Sequence, residues 1–286
     1  MKVGMTMVLE CKLKNNNHIT VLLERVDIDK SLESLLLEEL DIKKGMLIFN
    51  SDSADNLGYN EIGFKNPPIE IRFIDKKIEI VALNYKGMHI MEFLFNQISS
   101  KFSFFTLERK KHKISFIFPI EIQDDYKEKN KIAREILAYI NSLITLEECP
   151  FFSLYGVVEN QIPIYRGKIE SKFELNDHMY NMIAYIPDEI YICNSLTKEV
   201  VRISYEIKLK EVCHIDVPMY IEDYSLPEVI SKQDLVTKAV YKSSNIFNTL
   251  LNNEKIDGCF IINTGRGVIT GTSDYTYLNT FSLKRT

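Results

Sequence analysis

Residues 181–212 carry the clearest pairing signal in the chain. Over 200–209, Ile203, Tyr205, Ile207 and Leu209 alternate with Ser204, Glu206, Lys208 and Lys210, the period of a strand with one buried and one wet face. Residues 189–194 form a second β-branched and aromatic run, and the short, largely polar connection from Ser195 to Glu199 suits a hairpin. Pro187-Asp188 fits the boundary of the first strand, because proline has no N–H to give to a ladder.

The same alternation predicts hairpins elsewhere. Residues 5–13 and 18–26 are joined by Lys14-Asn15-Asn16-Asn17, and 69–74 and 78–83 by Asp75-Lys76-Lys77. Residues 102–107 and 113–120 flank a tip at Arg109-Lys110-Lys111-His112, and 259–264 and 268–283 flank Gly265-Arg266-Gly267. Further strands are expected at 46–49, 151–158, 162–166, 168–174 and 213–217.

Helical spacing predicts four helices. Leu32, Leu35, Leu36 and Leu40 follow a capping Ser31; Met91, Leu94, Phe95 and Ile98 follow Gly87. Ile132, Ile136, Leu137, Ile140 and Ile144 form the face of a third helix starting at Tyr126. Ser231 and Asp234 open a fourth, carrying Val236, Val240, Phe247, Leu250 and Leu251. Two long polar stretches, 50–68 and 218–233, read as loops available for contacts.

Strands that arrive as adjacent hairpins, with helices between groups, predict an α+β fold of mainly antiparallel sheets with four interspersed helices. Two subdomains are expected, 1–149 and 150–286, with the border where the third helix ends before Pro150. The alternation of a doubly wound parallel sheet is missing, and with it the usual setting for nucleotide fingerprints. No solenoid-like repeat or low-complexity segment interrupts the pattern.

Composition narrows the functional classes. In 286 residues, 45% hydrophobic and 11% aromatic content implies a packed globule, and a net charge of −5 gives no general attraction to nucleic acid or anionic membrane. The start does not read as a secretory signal, and no run approaches about 18 apolar residues, so a cytoplasmic protein without a membrane partner is expected. The 5 cysteines are scattered without a C-x-x-C pair and read as reduced thiols rather than zinc ligands. No cofactor is expected on these grounds.

Two constellations carry candidate chemistry. Pro187-Asp188, followed by Glu206-x-Lys208 on the next strand, resembles the motif of the PD-(D/E)xK nuclease superfamily. That resemblance implies Asp188 and Glu206 as ligands for Mg²⁺ or Mn²⁺, and Lys208 as the catalytic lysine that stabilises charge at a phosphate. The plainer alternative is a solvated strand face. The second is the run Arg109, Lys110, Lys111, His112 and Lys113 at a hairpin tip flanked by Phe102, Phe104, Phe105, Phe116 and Phe118, a combination able to hold phosphates and stack bases. Its plainer alternative is a lysine-solvated turn over core phenylalanines.

Gly265-Arg266-Gly267 reads as a tight turn, since Val268 continues as a strand where a phosphate loop requires a helix. The histidines show no metal-ligand spacing, and no nucleophile elbow is present. The reading favoured is a cytosolic, non-enzymatic binding or assembly protein, with a protein partner or homo-oligomer. The alternatives are a metal-dependent nuclease and a nucleic-acid-binding protein that uses the basic tip.

Overall fold

The computed structural model describes residues 9–12, 19–50, 61–74, 76–145, 151–158, 162–165, 168–169, 182–194, 197, 199–209, 258–264 and 268–272. The expected loop at 218–233, the helix at 234–251, the strand at 213–217 and the turn Gly265-Arg266-Gly267 lie outside the described residues.

In chain order, the first elements are β1 (Leu9–Lys12), β2 (Ile19–Ile28), α1 (Leu32–Leu40), β3 (Gly45–Asn50), β4 (Glu61–Lys65), β5 (Ile69–Ile74) and β6 (Lys77–Ala82). Then come α2 (Tyr85–Lys101), β7 (Thr106–Lys110), β8 (Lys113–Ile117), α3 (Ile120–Gln123) and α4 (Tyr126–Ile144). Strands β9 (Tyr155–Val158), β10 (Ile162–Tyr165), β11 (Lys168–Ile169), β12 (Met182–Ile186), β13 (Glu189–Asn194), β14 (Glu199–Leu209), β15 (Gly258–Asn263) and β16 (Val268–Thr272) complete the described chain.

Every expected hairpin pairs in antiparallel fashion: β1/β2, β5/β6, β7/β8, β13/β14 and β15/β16. The protein is therefore α+β, with two antiparallel sheets. The first has the order β1-β2-β14-β13-β4-β3-β15-β16 and the second β11-β10-β9-β12-β5-β6-β8-β7. Each sheet draws strands from both sides of residue 150, since β4 pairs with β13 and β5 with β12.

Those two pairs are also where the sheets join. The chain passes from β4 to β5 through Asn66-Pro67-Pro68 and from β12 to β13 through Pro187-Asp188, so both crossings use proline, which leaves a ladder without needing a donor. Asn66 takes φ 50, a left-handed conformation that asparagine tolerates better than most residues, and its N–H donates to the Lys44 carbonyl at 2.8 Å.

Alternation along the strands assigns the layers. In the first sheet, Leu47, Tyr191, Cys193, Val200, Cys259 and Ile261 cluster with Leu32, Leu36, Leu37 and Leu40 of α1. The opposite face, carrying Met46, Ile62, Phe64, Ile203, Tyr205 and Phe260, belongs to the main core shared with the second sheet. Gly63 lets α1 approach, because a Cβ there would stand 2.2 Å from Leu36 Cδ1. On the second sheet, Phe73, Ile78 and Phe116 share the face covered by α2, whose Phe95 ring lies 6.3 Å from that of Phe116.

Each of the three longer helices opens with a side-chain cap: Ser31 accepts from Ser34 N, Asn84 from Gly87 N and Asp125 from Glu128 N. The pattern placed Gly87 before its helix, but it lies inside the first turn of α2. Its tolerance of close packing explains this, since an added Cβ would meet the Pro68 carbonyl oxygen at 2.0 Å. Two strands escaped the pattern. β4 lies within the stretch read as a loop at 50–68, because its sequence Glu-Ile-Gly-Phe-Lys is short and nearly all buried; β12 is buried at four of its five positions.

Candidate functional site

Three of the places where polar side chains gather bear on the candidate chemistry. At the junction of the sheets, the Glu70 carboxylate on β5 is fully buried, with Lys44 Nζ at 2.6 Å and Arg72 donating from the same strand. The Tyr185 hydroxyl donates to the Asn263 carbonyl at 3.3 Å, and the Asn263 amide donates to the Leu40 carbonyl at 2.8 Å. Burial, and then the negative charge of Glu70, push the Tyr185 phenol well above its ordinary range. This cluster ties the end of α1 and the ends of β3 and β15 to the second sheet. Alternation could not reveal it, because Glu70 and Arg72 occupy the polar positions of β5 just as they would on a strand with one wet face.

The second place is the crossing at Pro187-Asp188. Asp188 accepts a hydrogen bond from Lys86 Nζ at 2.7 Å, and its carbonyl accepts from Tyr205 N at 2.7 Å. Asp188 therefore stands opposite Tyr205, one position out of step with Glu206 and Lys208. These two sit at register positions opposite Leu22 and Thr20, on the series that includes Arg202 and Ser204; their side chains lie outside the described residues. The carboxylate that the nuclease likeness assigns to a metal is engaged here by a lysine from the first turn of α2. Among the described residues no group of three or more His, Cys, Asp or Glu side chains comes together as a metal site.

The third place is the hairpin of β7 and β8. Among the described strands β7 lies at the edge of the second sheet, and all five of its residues are exposed. The tip is tighter than the pattern implied: Lys110 pairs with Lys113, and only Lys111 and His112 form the turn. Residues 102–105 precede the strand instead of belonging to it. Phe102 caps α2, so the alternation inferred for these phenylalanines does not apply; Phe102 and Phe105 are buried while Phe104 is 45% exposed.

The basic run divides into two sets. Arg109 donates to Glu92 of α2 and lies 5.7 Å from the centroid of the Phe95 ring, and Lys113 donates to Glu79 at 2.8 Å. Burial alone would raise the Glu79 carboxyl, but Lys113 and Lys77 outweigh it and hold the group below its ordinary value. Lys110, Lys111 and His112 remain exposed at the tip. The sequence placed all five together; which of them answer local acids required the register of β6, β8 and α2.

No helix among the described residues is long and apolar enough to cross a membrane. The chain matches no known protein-family model and no curated protein sequence.

Proposed function

We propose that this chain is a cytoplasmic, non-enzymatic binding or assembly protein that makes its contact along the β7 edge of the helix-backed sheet. The observation that supports this reading is the exposure of the entire strand, with Leu107 at 41% and Phe104 at 45% exposed within and beside it. An edge strand offers a row of backbone donors and acceptors, and an extended partner segment adds to such a row as one more strand. Glu108, Arg109 and Lys110 discourage indiscriminate pairing and select a partner of matching charge.

Leu107→Pro tests the reading, because proline removes an edge N–H and blocks strand addition. Affinity recovery from the cells that make the protein is expected to yield a stoichiometric protein partner with the wild-type chain and to lose it with Leu107→Pro at unchanged melting temperature. Equal recovery by both chains, or turnover of a substrate that a single substitution abolishes without unfolding, would refute it.

A second reading draws on exposed Lys110 and Lys111, which have no acidic partner among the described residues: they contact nucleic-acid phosphates. It requires affinity that falls steeply with salt and a shallower slope in the double alanine variant. Salt-independent binding, or none, removes it.

A further inference from the structure

The edge at β7 has a defined polarity. His112 O accepts from Ala82 N at 2.9 Å, and Phe118 N donates to Lys76 O at 3.0 Å, so the even-numbered residues of this segment bond toward β6. Lys113, Ser115 and Ile117 therefore bond toward β7, where they face Lys110, Glu108 and Thr106. Leu107 and Arg109 are left with their N–H and C=O groups directed away from the sheet.

We propose that the occupant of this edge is β7 of a second copy of the chain, running antiparallel, with Arg109 of one copy opposite Arg109 of the other. The inference rests on the binding reading above and names its partner. A two-fold axis normal to a sheet preserves its faces, so it can only pass through a residue opposed to itself. Registers centred on any residue of β7 let the outward groups of Leu107 and Arg109 bond to the other copy, but centring on Glu108 or Lys110 sets that residue against its own charge, which leaves Thr106, Leu107 and Arg109.

Charge separates these as well: centring on Thr106 sets Glu108 against Phe104. Centring on Leu107 sets Glu108 against Thr106 and gives neither Glu108 carboxylate a cation across the strand. Centring on Arg109 sets Glu108 of each copy against Lys110 of the other, giving two complementary cross-strand pairs. The two Arg109 guanidiniums are already met within their own copies by Glu92 and Phe95. Glu108 and Lys110 are both exposed and share the face away from α2, so neither need leave the core to pair.

Sedimentation velocity of the purified chain across a concentration series tests the assignment. The wild-type chain is expected to dimerise reversibly and to dissociate more at about 0.5 M salt, where exposed pairs are screened. Glu108→Lys and Lys110→Glu each replace both complementary pairs with like charges and are expected to weaken the dimer by about tenfold or more. The double variant Glu108→Lys/Lys110→Glu restores opposite charges and is expected to recover the wild-type affinity within about threefold. Circular dichroism of all four chains, expected to coincide, checks that the exposed substitutions leave the fold intact. A double variant as weak as the single ones overturns the Arg109 register. A wild-type chain that stays monomeric at every concentration overturns the second copy as occupant but leaves the binding reading standing; that reading falls when Leu107→Pro retains the partner or when substrate turnover is found.

Discussion

Substituting Lys44 with methionine tests what holds the two sheets in register. Lys44 precedes β3 in the first sheet, and its ammonium lies 2.6 Å from the Glu70 carboxylate on β5 of the second. The Glu70 side chain has no solvent exposure, whereas Lys44 and Arg72 retain 15% and 18%. Methionine keeps the length and apolar stem of lysine but leaves a fully desolvated carboxylate with Arg72 as its remaining cation. Breaking one partner from a buried pair costs about 3–5 kcal/mol. The residual exposure of Lys44 and the retained Arg72 place this case at the lower end, at about 2–3 kcal/mol.

Urea unfolding followed by circular dichroism and by tyrosine fluorescence should show this loss as a lower midpoint at unchanged slope. Lys44→Met combined with Glu70→Gln should cost less than the sum of the two single changes, because the double variant no longer buries an anion short of a cation. A single variant within about 0.5 kcal/mol of wild type, or strictly additive costs, would refute the claim that this ion pair joins the sheets.

Three other outcomes are expected. Gly87→Ala should destabilise by about 2 kcal/mol despite the better helix propensity of alanine, since its Cβ would stand 2.0 Å from a backbone oxygen of Pro68; a neutral melting temperature would show that α2 can shift away from the crossing. Because its neighbouring ammoniums hold the Glu79 carboxyl below the ordinary 4.5, its contribution is fully present above that value and is lost as pH falls through the folded value. Wild-type stability should therefore decline more steeply below about pH 4.5 than that of Glu79→Gln, and parallel curves would remove the linkage. Burial, reinforced by Glu61, pushes the Cys259 thiol up to about 12, so peptide mapping after maleimide treatment at about pH 8 should find it unlabelled in the folded protein and labelled in urea; rapid native labelling would contradict its burial.

The local periods of the sequence determined the five hairpins, the faces of α1, α2 and α4, and the α+β class. Each depends on near neighbours in the chain, such as the alternation along β14 and the leucines one turn apart in α1. Only the tertiary structure decided that β4 and β12 are strands, because their short buried segments owe their extended form to β13 and β5, their partners across the residue 150 border. It also decided which charges are engaged. Glu70, Asp188 and Glu79 look alike as acids in the chain, yet Lys44, Lys86 and Lys113 reach them from 26, 102 and 34 positions away. An ion pair between distant residues carries no periodic signature, so the composition of the basic hairpin was legible while the division of its cations was set by packing. The outward direction of Leu107 and Arg109 was settled in the same way, by the bonds β8 makes to β6.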